Sequence, residues 1–311
     1  MKALANYRGA VDIVPFVGSH QIPPQGRPPK HAAGPVQIDS DIWIGPLGDL
    51  KKSVIEASVP PGENWHVHRT YRCQYALWRT DPPTKPVNGI WWDSDQRLHR
   101  CIQQLRLVRP TTLAYQYACR LAFDSSGKRV IRPAGVVGQG ALAYLSAGYP
   151  DGVQDRDIVQ LRKLLHAFKA AELPNRVKNA LWMHEHVAWT RLMNIRWPLV
   201  VTALEALIHT IDRGRSRILG STEQFCQRLE KLQDLIKECL WSADDLSAIY
   251  DLRSSFAHGR GGEVDALNGE PLRLYEVAQC GLATILRSCI LKQAVADIFR
   301  TDSSIRTALH F

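Results

Sequence analysis

Near Pro150 the apolar residues of this 311-residue chain change their spacing, and that change limits it to a fold of two unlike parts. Beyond Pro150 they recur every three or four positions, as a helix with one buried face requires. The spacing predicts helices over residues 157–171, 175–193, 198–211, 222–240, 244–258 and 272–299. Over 222–240, Phe225, Leu229, Leu232 and Ile236 share one face. Ser242 then stands where the following helix needs an N-cap. Pro- and Gly-bearing loops are expected in this half only at 214–220 and 259–271. Before Pro150 the pattern is different. The first 50 residues are rich in Pro and Gly and read as loop. Short strands are expected over 53–59 and 71–79, and 113–123 alternates more clearly. The turn signal between Asp124 and Gly127 would return that strand as a hairpin over 128–132. Leu98, Cys101, Ile102, Leu105 and Val108 make the stripe of one helix over 95–109, stopped by Pro110. The expected fold is α+β in two domains, a β-rich mixed one over residues 1–155 and an all-helical bundle over 156–311.

Charge divides along the same line. Residues 1–170 carry 22 Lys/Arg against 13 Asp/Glu, whereas residues 171–311 carry 17 of each, so the whole net charge of +9 lies in the first part. Such a surface either attracts phosphate backbones or is simply solvated. An apolar content of 45% supports a core in each part. No uninterrupted apolar run reaches the roughly 18–20 residues that span a bilayer; the longest, residues 197–208, is cut by Pro198 and Glu205. The first eight residues lack the apolar stretch of a secretory signal. Seven widely spaced cysteines, with no Cys-x-x-Cys, favour neither a disulfide framework nor a structural zinc site. The expected setting is a reducing cytoplasm, with no membrane partner.

The most informative segment is residues 246–259. On a helix, Leu246, Ile249, Leu252 and Phe256 share a face that must be buried. Arg253 falls at the edge of that stripe, about 50° from its centre, and His258 nearly opposite it. About 140° separates the two in a straight helix, too much for both to grip one phosphate. Either the helix ends at Ala257, with Gly259 as a left-handed terminator re-aiming His258, or two chains pair and build one site between them.

These residues resemble the HEPN family, which carries Arg-x(4–6)-His near a helix end with a polar residue after the arginine: here Arg253, Ser254 and His258. The wider match is to the Apea-like HEPN branch. Its Ala-Leu-Glu-x-Leu is met between Ala203 and Leu207, its Phe-x-x-Arg by Phe225 and Arg228, its Tyr-x-x-Arg-Ser by Tyr250, Arg253 and Ser254, and its His-Gly by His258 and Gly259. The resemblance covers residues 173–299. It implies a metal-independent endoribonuclease without a cofactor, active as a homodimer through the helical domain, with a 2′,3′-cyclic phosphate as product. Arg253 and His258 would be catalytic. Ser254 and Tyr250 would position them, and Glu205 would hold an arginine or a tyrosine in place. Independently of the resemblance, a carboxylate inside an apolar helix is costly unless paired, and structural pairing with an arginine such as Arg228 is expected in preference to direct catalysis. The chemistry suits these residue types. An imidazole exchanges protons near neutral pH, and a guanidinium offers forked donors to phosphorane oxygens. By resemblance to defence and toxin proteins, the target would be transfer RNA or another cellular RNA, cut to arrest growth in abortive infection. The N-terminal domain would recognise a phage-derived trigger, an antitoxin or the RNA.

Weaker constellations complete the reading. Arg213, Arg215, Arg217 and Arg260 sit in short loops and either flank an RNA path or are plain surface. Trp65, Trp78, Trp91 and Trp92, interleaved with Arg69, Arg72 and Arg79, are read as the core and rim of the β-domain in preference to a base-stacking surface. His66 and His68 share a strand face, while His184 and His186 diverge by about 200° on a helix; neither pair has a third ligand, so no metal is expected. Gly138 and Gly140 read as a loop, since the full Gly-x-Gly-x-x-Gly is absent. Two other functions fit the same sequence: a non-catalytic HEPN dimerisation scaffold, and a sensor whose basic N-terminal part binds nucleic acid.

Overall fold

A computed structural model describes residues 9–16, 34–48, 75–82, 96–108, 117–136, 153–190, 193–210, 221–258 and 269–309. The chain divides into two compact units, residues 1–165 and 166–311. The division falls inside a helix, ten residues beyond the boundary at 155 expected from sequence.

The first unit holds a six-stranded antiparallel sheet of order β2-β3-β4-β1-β5-β6. Its strands are β1 (Val11–Phe16), β2 (Val36–Gln37), β3 (Ile42–Pro46), β4 (Tyr75–Arg79), β5 (Tyr117–Phe123) and β6 (Arg129–Val136), and helix α1 (Arg97–Val108) lies between β4 and β5 in sequence. The expected hairpin is present. Asp124 Oδ1 accepts the N–H groups of Ser126 and Lys128, each at 2.9 Å, and Gly127 takes the left-handed φ of +76° that a side chain would resist. The loop reading of the first 50 residues is corrected by β1, β2 and β3. Pro15 and Pro46 look like breakers in sequence, yet both lie within strands. β1 is central, between β4 and β5, and Val11, Asp12, Ile13 and Val14 are all buried, so it shows no alternation to read.

The core of this unit gathers Val11, Ile13, Leu47, Ala76, Trp78, Cys119 and Leu121. Trp78 is therefore a core residue; Trp65, Trp91, Trp92, Arg69, Arg72, His66, His68 and the strand expected over 53–59 lie outside the described residues. Buried charges are paired, as burial demands. Arg120 grips the fully buried Asp12 through Nε and Nη2 at 2.6 and 2.9 Å, and Asp41 takes Arg79 Nε at 2.8 Å and Arg97 Nη1 at 2.9 Å. Burial, followed by the Asp155 carboxylate, raises the Tyr75 hydroxyl far above its ordinary value.

Helix α2 (Asp155–Ala170) leads into the second unit, which contains α3 (Asn175–Trp189), α4 (Met193–Ile208), α5 (Ser221–Ile236), α6 (Ala243–Ala257), α7 (Gly269–Leu291), α8 (Gln293–Asp297) and α9 (Asp302–Ala308). α4 packs on α3, α5, α6 and α7, and its apolar character all round suits that central place. The fully buried Trp197 stacks on Phe256 of α6 at 6.1 Å and meets Tyr275 of α7 edge-on at 5.8 Å. Three boundaries differ from the sequence reading. The helix expected over 175–193 breaks at Thr190, which is extended, and Met193 already belongs to α4. α4 runs through Pro198, forfeiting one backbone hydrogen bond near its start while packing of Trp197 holds the chain helical. The helix expected over 272–299 ends at Leu291, because Lys292 is extended, and α8 resumes from there. α7 is long and apolar enough by composition to cross a membrane, but 72% of its most apolar stretch is buried, which makes it a core helix of the bundle.

Ser242 caps α6 as expected. Its hydroxyl accepts the Asp245 N–H at 3.1 Å while the Asp245 carboxylate accepts the Ser242 N–H at 3.1 Å. Arg273 of α7 adds a hydrogen bond to Asp245 at 2.5 Å. Burial alone would raise the Asp245 carboxyl, but the hydrogen bonds from Arg273 and Ser242 outweigh it and hold the group below the usual carboxylate range. A depressed carboxyl stabilises the fold above the ordinary value of about 4 and loses that effect as pH falls through the folded value. Asp245→Asn is therefore expected to lower stability by about 1 kcal/mol at pH 7. In thermal unfolding, the difference from wild type should begin to narrow as both are acidified below about pH 4 and close once the pH is below the folded value; a gap unchanged at low pH would contradict this origin.

Candidate functional site

The candidate site lies where α4 and α6 pack together. The C-terminal turn of α4 ends in carbonyls that lack helical partners, and two arginines from other helices supply them. Arg228 of α5 is buried and donates from Nη1 to the Ile208 carbonyl at 2.7 Å and from Nη2 to Thr210 Oγ1 at 3.0 Å. Arg176 of α3 donates from Nη1 to the carbonyls of His209 and Ala206 at 2.6 and 3.1 Å, and its Nη2 pairs with Asp302. The helix end that carries Glu205 is thus clamped from two sides.

Glu205 lies one turn before that end. Its Oε2 accepts Arg253 Nη2 at 3.1 Å, with 24% and 30% of the two side chains exposed, so the pair is neither dry nor freely solvated. Glu205 pairs with an arginine, as expected, but that arginine is Arg253 and not the Arg228 named as its candidate partner. Arg228 is engaged at the Ile208 carbonyl and Thr210, and the carboxylate holds Arg253 itself. The physical reason is register. Arg253 at the rim of the buried stripe of α6 reaches back to α4, whereas Arg228 meets the carbonyl of that helix's last residue, Ile208, and the Thr210 hydroxyl just beyond it.

The guanidinium of Arg253 also lies over Tyr250, with Cζ 5.8 Å from the ring centroid, within cation–π reach. Tyr250 packs on Phe225 of α5 at 5.0 Å. Carboxylate on one edge and ring on one face fix the fork. Arg253 Nε is shielded and makes no hydrogen bond among the described residues, and Nη1 has no partner there either. Nη1 thus keeps donor capacity that an oxyanion or phosphate oxygen would take up, whereas the shielded Nε does not face solvent.

Leu246, Ile249 and Phe256 are buried, as the stripe on α6 requires, while Leu252 is half-buried. The helix ends at Ala257, and His258 is its C-cap, at φ −94° and ψ 12°. The helix end at Ala257 is what the first of the two ways to reconcile Arg253 with His258 requires; Gly259, the terminator in that reading, lies outside the described residues. The His258 N–H still reaches the Ser254 carbonyl at 3.0 Å, and its imidazole is exposed, with no hydrogen bond or ion pair among the described residues. Ser254 is half-buried beside Arg253 in sequence. Gly259 and the loop arginines Arg213, Arg215, Arg217 and Arg260 lie outside the described residues, as do Gly138 and Gly140.

The structure therefore brings Glu205, Tyr250 and Arg253 into one contact set, puts His258 at the end of the same helix, and places Arg228 in support of α4. Sequence reasoning missed Arg176, Thr210 and Asp302. Their partners are distant in sequence and carry no local pattern. His184 is buried and His186 exposed, consistent with side chains that diverge on α3. Among the described residues no group of three His, Cys, Asp or Glu side chains is placed to hold a metal ion. Set against protein-family models, characterised proteins and solved structures, the chain matches none.

Proposed function

We propose that the helical unit is a HEPN-type, metal-independent endoribonuclease in which Arg253 and His258 act on the scissile phosphate. The observation that carries this reading is the oriented Arg253 fork, held by Glu205 and Tyr250 with donors to spare, on the helix that ends in an exposed His258. In the proposed reaction His258 takes the proton of a ribose 2′-hydroxyl or delivers one to the leaving 5′-oxygen. The 2′-oxygen bonds to phosphorus, the P–O5′ bond breaks, and a 2′,3′-cyclic phosphate and a 5′-hydroxyl result. Arg253 meets the charge that builds on the non-bridging oxygens. A homodimer would set two such helices together, so that His258 of one chain and Arg253 of the other could share a phosphate. RNA would be drawn in by basic surface, and α2 supplies some, with Arg156, Arg162, Lys163, His166 and Lys169 all exposed. The first unit would recognise the RNA or a trigger such as a phage product or an antitoxin, and the target would be transfer RNA or another cellular RNA in the cytoplasm.

The test uses the purified full chain and its Arg253→Ala and His258→Ala forms on total RNA with a chelator present. The expected result is cutting by the native chain alone, leaving cyclic phosphate ends. Equal cutting by all three, or 3′-hydroxyl products, would overturn the proposal. The same ion pair favours one alternative, because Glu205 and Arg253 also tie α4 to α6. If the site serves only to hold a dimerising bundle, dimers will persist in the native chain with no cleavage of RNA.

A further inference from the structure

Helix α3 turns one face outward. Its exposed positions, Asn175, Lys178, Asn179, Trp182 and His186, fall within about 100° of one another around the axis. None is acidic. Trp182 is 59% exposed, a large apolar ring in water that no element among the described residues covers. It is nevertheless held in place. The His186 ring lies 3.7 Å from it, centroid to centroid, with 32° between the planes. His186 Nδ1 is 2.8 Å from the Trp182 carbonyl oxygen. A carbonyl only accepts, so Nδ1 carries the proton and donates it, which locks the imidazole. The indole is thus a preset platform, backed on one side by a fixed ring. One turn earlier on the same face, Lys178 offers an exposed ammonium with no ion pair among the described residues.

We infer that this face of α3 binds single-stranded nucleic acid, with an unpaired base stacked on Trp182 and an adjoining phosphate met by Lys178. Stacking on an aromatic needs a base whose π-face is open, which a duplex does not offer. The cation lies about 6 Å along the helix from the ring, on the scale of one nucleotide step. The rival occupant is a second copy of this chain. It suits the face less well. A stable protein interface buries about 800 Å² per partner around an apolar centre depleted in lysine. Here one apolar ring stands among a lysine, two asparagines and a histidine; among the described residues the other exposed large apolar ones, Phe123, Val159, Ile195, Leu235 and Leu291, belong to other elements. That the strand is RNA rests on the ribonuclease reading; that it is single-stranded rests on α3 alone.

The experiment measures anisotropy of a labelled uridine RNA of about 12 nucleotides bound to the full chain carrying Arg253→Ala, which keeps the probe intact. Adding Trp182→Ala is expected to weaken binding about tenfold, whereas Trp182→Phe keeps most of the affinity and Lys178→Ala lowers the salt slope by about 0.7. Affinity for a blunt duplex should not respond to Trp182. Equal binding by the Ala and Trp forms overturns the inference. So does a Trp182→Ala chain that loses self-association in sedimentation while its RNA affinity stays the same, which would assign the face to a second copy. Cleavage by the chain with native Arg253 keeps the two proposals apart. Trp182-dependent binding without cutting removes the ribonuclease reading alone, and cutting without Trp182-dependent binding removes this inference alone.

Discussion

Arg253→Ala is expected to slow RNA cleavage by about 10²- to 10³-fold, the usual consequence of removing one donor aimed at developing oxyanion charge, while leaving the fold almost as stable as before. The second half of that expectation matters because Arg253 also ties two helices. Its ion pair with Glu205 is partly solvated, and pairs of that kind contribute about 0.2–1 kcal/mol; its contact with Tyr250 adds a similar amount. A collapse of activity with a shift of only a few degrees in unfolding would therefore be chemical in origin. Arg253→Lys should not restore the rate, since an ammonium keeps the charge but lacks the planar fork. Glu205→Gln is the sharper probe. It leaves Arg253 charged and in place but removes the carboxylate that aims it, so single-turnover cleavage should fall about tenfold with little change in KM. Made in the Arg253→Ala chain, the same change should have no further effect, because Glu205 then has nothing to position. An additive loss in the double variant would mean that Glu205 acts on its own, and a loss of cutting that follows thermal stability step for step would return the pair to a structural role.

How far the sequence disclosed all this depends on how local the physics is. Helix α6 was largely legible. The stripe of Leu246, Ile249 and Phe256 and the Ser242 cap are decided within fifteen residues, whereas Leu252 is only half-buried and the end at Ala257 is one of two readings the sequence allows. The Asp124 turn was legible for the same reason. β1 was not. A central strand buried on both faces has no alternation, and its Asp12 reads as polar until Arg120, 108 residues away, is seen to grip it. The partner of Glu205 shows the same limit at the site. A carboxylate in an apolar helix announces that some cation must meet it, but choosing Arg253 over Arg228 needs the register of α4 against both α5 and α6. Arg176 was silent because its acceptors, the carbonyls of Ala206 and His209, have no side-chain signature at all.

Gly281→Ala is expected to be the most damaging small substitution in the helical unit. In most helix interiors this change is favourable by about 1 kcal/mol, because alanine is the better helix former. Here a Cβ at position 281 would lie 1.9 Å from Trp241 Cζ3, 2.5 Å from Cε3 and 2.8 Å from Cη2, inside the ring's own volume. Trp241 cannot move aside cheaply. It is 4% exposed, its N–H and that of Leu240 are both held by Gln233 Oε1 at 3.3 and 3.1 Å, and the next residue, Ser242, is the cap of α6. Displacing the ring means shifting the α5–α6 connection or the start of α6, the helix that carries Arg253. Overpacking of this kind costs about 3 kcal/mol, which for a unit of this size lowers the melting temperature by about 10 °C. Trp241→Ala alone should cost about 3–5 kcal/mol through the cavity it leaves. The two effects must not add, because the clash needs both the methyl and the ring. The double variant should unfold no earlier than Trp241→Ala, and the new methyl, now pointing into space that the indole has vacated, should recover part of the loss. Additive melting shifts, or a Gly281→Ala chain as stable as the native one, would mean that α7 and the Trp241 ring do not meet as closely as this packing requires.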